Sequence, residues 1–244
     1  MSEQETGNPE KPSNKDFVQK NIEFLESRGF AGQLMIPTFK AALEVEPRLK
    51  AVLFDVYRTV PNQHVLAGAS APWEDPERGL YTILWNPEFF GANEEVLTKA
   101  LPIELKGDPY IEKQCEMIGK DFHDTALSDI DQSILLHELG HIVYFLDNED
   151  NFKEIEASRQ RDLEGLPVVP GALIAELPDF KERYETNKDG VRDQLNEDYG
   201  VSSLEELYKV QMNAYHNMPS EMIPDEFAAK VFEHIREKRN EEQG

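Results

Sequence analysis

Apolar positions fall into separate periodic runs along the chain, and each run predicts an element. Phe17, Val18, Ile22 and Leu25 recur at helical spacing behind Asn14, a capping residue, and Gly29 ends the run. A second helix is expected around Pro37–Leu43. Residues 50–60, rich in β-branched and aromatic side chains and stopped by Pro61, read as a strand. A Gly/Ala/Pro-rich loop through Pro76 follows. Residues 80–86 then alternate, with Tyr81, Ile83 and Trp85 on one face and Leu80, Thr82 and Leu84 on the other, which predicts a second strand. Helices are expected near 93–99 and 110–120, with a break between Pro102 and Pro109.

The strongest helical run spans about Asp129 to Leu146. Ser128 is its expected N-cap, and Asp129 and Asp131 suit the positive end of the helix dipole. Ile134, Leu135, Leu139, Ile142, Val143, Phe145 and Leu146 crowd the run so densely that the helix must be mostly buried. Two more helices are expected at 202–217 and 220–239.

Two stretches break the pattern. Residues 1–15 have almost nothing to bury and read as a disordered polar tail. Residues 147–206 carry 7 Lys+Arg against 17 Asp+Glu, yet hold Val168, Val169, Leu173 and Ile174 beside Pro167, Pro170 and Gly171. They read as an acidic insertion in a single domain spanning 16–240. The whole chain repeats the bias, with 25 Lys+Arg, 48 Asp+Glu and a net charge of −23. Such a surface repels phosphate backbones and anionic lipid, so direct nucleic-acid or membrane binding is not expected. No run approaches the ~18 apolar residues of a spanning helix, and the N-terminal residues lack a secretory pattern. The lone Cys115 cannot form an intrachain disulfide. A cytoplasmic protein, or one associated with a virion or phage, is expected.

Inside the buried helix lies His137-Glu138-Leu139-Gly140-His141. Four residues turn about 400° and rise ~6 Å, so both imidazoles share one face, a turn apart. Two histidines so placed can close on one Zn²⁺, while Glu138, rotated about 100° from His137, can lean over the metal as a general base without ligating it. Left unpaired, three such groups would be costly in so apolar a helix. A catalytic zinc needs a third protein ligand. A histidine six residues beyond His141 would meet Asp147, with Tyr144 where a glycine is needed, so Asp147 is a weak candidate. Glu221 is better placed: in the first turn of the 220–239 helix it can ligate, while Asp225, four residues on, accepts the N–H of a ligand histidine. The plainer reading of that pair is two acids on an exposed acidic helix.

His137-Glu138-Leu139-Gly140-His141, followed by Pro219-Ser220-Glu221 with Asp225, Phe227 and Ala228, resembles the gluzincin branch of zinc metallopeptidases. It is especially similar to the intracellular ImmA/IrrE-like proteins, whose second motif reads roughly E-x-x-A-[N/D]-x-F-A. The likeness covers about 15 residues. It implies an α+β, helix-rich zincin-like domain with a small mixed sheet whose edge strand flanks the active helix. It also implies one Zn²⁺ held by His137, His141 and Glu221, with Glu138 as catalytic base and Asp225 as the histidine's partner. The family's alanine is Pro224 here, and proline belongs in a helix's first turn, so Glu221 is expected at the very start of its helix.

By the same likeness strand 80–86 is the edge that pairs with an extended peptide substrate. Tyr81, Ile83 and Trp85 then either line the cleft or pack in the core. Tyr215 and Tyr144 are candidate donors to the transition-state oxyanion, against the commoner role of a packed tyrosine. The implied activity is that of a zinc metalloendopeptidase acting on a protein or peptide substrate. The rival reading is a catalytically silent zincin-fold regulator, scaffold or virion-associated protein, with a structural metal and a regulatory protein partner.

Overall fold

The computed structural model describes residues 14–56, 67–74, 79–85, 93–164, 200 and 203–243. The tail through residue 13, the expected strand beyond Val56 and the insertion from 165 to 199 lie outside the described residues. Helices dominate, and one small mixed sheet accompanies them, an α+β arrangement. No helix among the described residues is long and apolar enough to cross a membrane.

The chain opens with α1 (Asn14–Ser27) and α2 (Gly29–Val45). Gly29, at φ 67°, does more than end the first run: it turns the chain straight into α2. The sequence predicts α2 only from Pro37, because proline favours a helix start. In the structure Pro37 sits inside the helix, on its exposed side, while Ala31, Met35, Phe39 and Ala42 are buried. Burial of that face outweighs the hydrogen bond that proline removes.

Strand β1 is only Leu53–Val56, preceded by a 3₁₀ turn at Pro47–Ala51. Strand β2 (Ala67–Ser70) falls inside the expected loop, and β3 (Thr82–Trp85) falls where the alternation predicts it. The order is β1-β3-β2, with β3 parallel to β1 and antiparallel to β2. This corrects the expectation for strand 80–86: β3 is central, with both of its edges paired. Ala67-Gly68-Ala69-Ser70 has little intrinsic strand preference, and its pairing with β3 makes it a strand.

Short α3 (Glu94–Leu97) is capped by Asn93, and α4 (Pro109–Ile118) by the Asp108 carboxylate. The central helix α5 (Leu127–Asp147) starts before Ser128, which is buried inside the first turn and caps nothing. Instead Asp129 reaches back to accept the Ala126 N–H at 2.8 Å. Beyond it lie α6 (Phe152–Glu164), α7 (Leu204–His216), capped by Ser203, and α8 (Pro219–Gln243). Helix α5 is the hub: its Leu135, Leu139 and Ile142 are fully buried, and α8, α2, α4 and β2 all pack on it.

Several buried groups are polar, and Asp131 is one whose charge state bears on stability. Asp131 of α5 is buried, and the Trp85 indole N–H donates to its carboxylate at 3.3 Å. Burial pushes its pKa up to about 7, with the Trp85 donor pulling partly the other way. The folded state therefore holds a proton that the unfolded chain releases near pH 4, and stability falls as pH climbs from there to 7. Asp131→Asn should remove this slope. By pH 8 the variant should exceed the parent by roughly 3–4 kcal/mol, converging with it near pH 4, as read from urea melts across that range.

Candidate metal centre

Three side chains from two helices converge. Helix α5 presents His137 and His141 a turn apart, and α8 presents Glu221 from its first turn. The His137 Nε2 and His141 Nε2 atoms are 3.1 Å apart. Glu221 Oε2 lies 3.1 Å from the former and 3.5 Å from the latter. Ligands about 2.05 Å from a tetrahedral zinc are separated by ~3.3 Å, so this triangle has the size of one face of such a site. A buried His137, His141 and Glu221 group of this kind can hold a metal ion. The side chains are nearly sealed, at 12%, 10% and 4% exposure.

Proton placement supports the same reading. Asp225 Oδ1 lies 2.8 Å from His137 Nδ1 and, as an acceptor, fixes the proton on that nitrogen. A neutral His137 then aims its Nε2 lone pair at the Glu221 oxygen and the second imidazole. His141 Nε2 faces that lone pair and the Glu221 oxygen, and either a metal ion or a proton, carried by His141 or by His137, fits between them. Without metal the proton serves. Burial alone would push the His137 pKa down, but the Asp225 and Glu221 hydrogen bonds outweigh it and raise it to about 10. Burial would likewise raise Glu221, yet the two histidines hold its carboxyl far below the usual range. A metal ion bound between these atoms would have to displace the His137 proton wherever the group is still protonated. Titrations near pH 8 in buffers of different ionisation enthalpy should show about one proton released per zinc bound.

The approach of α8 to α5 depends on Gly140, between the two histidines. A Cβ there would lie 2.5 Å from Pro224 Cα and 2.9 Å from Pro224 O, so backbone sits where a side chain would be. Glu221 is the third residue of α8, as expected, but Pro224 falls beyond the first turn, inside the helix. Phe227, Ala228 and Val231 continue the buried face against the core. Glu138 is half-buried, close enough for its charge to act on His137 and Tyr215.

The other candidates separate. The Tyr215 hydroxyl donates to Glu221, and burial, followed by the Glu221 and Glu138 charges, raises its pKa well above the usual value, keeping it a neutral donor. Tyr144 packs against Phe145. Tyr81, Ile83 and Trp85 are core residues, with Tyr81 edge-on to Trp73. Asp147 is bound 2.8 Å from Arg48 instead of facing the histidines. Two contributors escaped the sequence reading. No local signal pairs Gly140 with Pro224, 84 residues further on. His216, five residues before Glu221, carries only a weak signal in sequence, yet its Nδ1 comes within 3.3 Å of Asp225 Oδ2.

Compared with protein-family models, with curated proteins and with solved structures, the chain matches none.

Proposed function

We propose that this protein is a zinc-dependent metallopeptidase of zincin type. The observation that carries the reading is the triangle of His137 Nε2, His141 Nε2 and Glu221 Oε2, which has zinc-face dimensions and joins residues 84 apart in sequence. Asp225 supports it by holding the tautomer that a ligand His137 requires. A zinc bound there supplies Lewis-acid polarisation of a peptide carbonyl and acidifies water. Glu138 takes the proton from the attacking water and delivers it to the leaving amine. Tyr215, a neutral donor held on Glu221, can serve the oxyanion by turning its one O–H away from that carboxylate.

The substrate-pairing role moves from β3 to β2. Among the described residues the outer edge of β2 is unpaired, and β2 packs on α5, so an extended peptide can add to it as a further strand. The acidic surface suits basic substrate segments.

The test is metal content with a variant alongside. The purified chain should hold one zinc and cleave unfolded protein substrates, losing both on chelation and regaining both with added zinc. Glu221→Ala should lose zinc and activity together. Stoichiometric zinc retained in Glu221→Ala would move the third ligand elsewhere. A zinc-loaded chain that cleaves nothing would favour the structural-metal alternative.

A further inference from the structure

Asp225 has two oxygens, and the contact with His137 uses only one. Its Oδ2 lies 3.3 Å from Nδ1 of His216, the residue that closes α7. Both groups are nearly buried, with His216 at 9% exposure and Asp225 at 7%. The 3.3 Å approach lacks the direction of a good hydrogen bond, and neither His216 nitrogen has another partner among the described residues. A sealed, underused imidazole is costly to keep, so its place beside the metal centre calls for a reason.

The ring is held from two sides. Tyr110 of α4 stacks on it, with centroids 6.0 Å apart and planes at 27°. Tyr215 meets it edge-on, with centroids 5.4 Å apart and planes at 75°. His216 and Asp225 together line a groove of about 300 Å³ between α4 and α8, walled by Met117, Met222 and Ala229.

We propose that His216 is a positioning residue for the metal centre, forming the outer member of a His137–Asp225–His216 chain. A carboxylate side chain rotates readily about its terminal torsion, so one held by a single oxygen can swing. Contact at Oδ2 restrains that rotation and keeps Oδ1 on Nδ1 of His137. His137 Nε2 then stays aimed at the metal as a free lone pair. The inference rests on the proposed metal reading and deepens it.

Zinc affinity of the full chain, measured by competition with a fluorescent chelator, tests this without any substrate. His216→Phe keeps a ring to stack on Tyr110 but loses both nitrogens. His216→Asn gives up the ring but returns a donor near the Nδ1 position. We expect the Phe variant to bind zinc 10- to 100-fold more weakly than the parent, and the Asn variant to recover most of the loss. A purely packing role predicts the reverse order, with Phe close to the parent and Asn impaired, and that order would overturn the proposal. So would equal affinities in all three. If the Phe variant does not fold, His216→Ala replaces it, with Ala weak and Asn strong as the supporting result and equal affinities as the opposing one. A parent chain that binds no zinc would instead defeat the metal reading itself.

Discussion

Glu138→Gln should leave one zinc per chain in place and reduce peptide hydrolysis by ~10²–10⁴-fold or more. Glutamine keeps the length and shape of the side chain, and its carbonyl can still orient water, but it cannot take a proton. The three candidate ligating atoms belong to His137, His141 and Glu221, so the substitution removes none of them. The α5–α8 contact passes through Gly140 and Pro224, so it is untouched as well. Elemental analysis beside a cleavage assay separates the outcomes. Full activity in the variant would remove Glu138 as the base, and lost zinc would place it among the ligands.

Gly140→Ala should loosen the centre, against the ordinary preference of helices. Exchanging glycine for alanine inside a helix commonly stabilises by about 1 kcal/mol. Here the new methyl would meet Pro224 Cα at 2.5 Å, and a backbone atom cannot step aside as a flexible side chain would. Helix α8 has to retreat, taking Glu221 and Asp225, which flank Pro224, away from both histidines. We expect a net loss of about 1–3 kcal/mol in urea melts and zinc affinity weaker by at least about tenfold. A variant that melts higher and holds zinc as before would show that the crossing tolerates a wider spacing.

Much of the candidate ligand set was legible because its signals are local. The spacing of His137 and His141 needs only one helix, and the apolar run around them announces that helix. Glu221 was reachable because its position near a helix start follows from Pro219 and Ser220, and Asp225 because it lies one turn on. What stayed hidden depends on what packs against what. The small residues of β2 carry no strand pattern and pair because β3 offers an edge. Pro37 looks like a helix start until its neighbours are seen buried on both sides of it. Ser128 looks like a cap, but Asp129 reaches back to fill that role. Gly140 and His216 acquire meaning only from partners 84 and 9 residues away, Pro224 and Asp225 respectively.

The distance in sequence between the two histidines and Glu221 has a consequence for how the protein comes to life. Bringing residues 84 apart together is an entropic cost that two imidazoles alone do not offset. While the ribosome is still adding the residues between α5 and α8, the emerging chain offers only half a binding site and holds metal weakly. On the proposed reading, capture of an ion waits until α8 has been synthesised and has docked, and any cleavage waits with it. Were the proposed activity present, translation itself would set its timing, and a nascent chain would be harmless to itself and its neighbours.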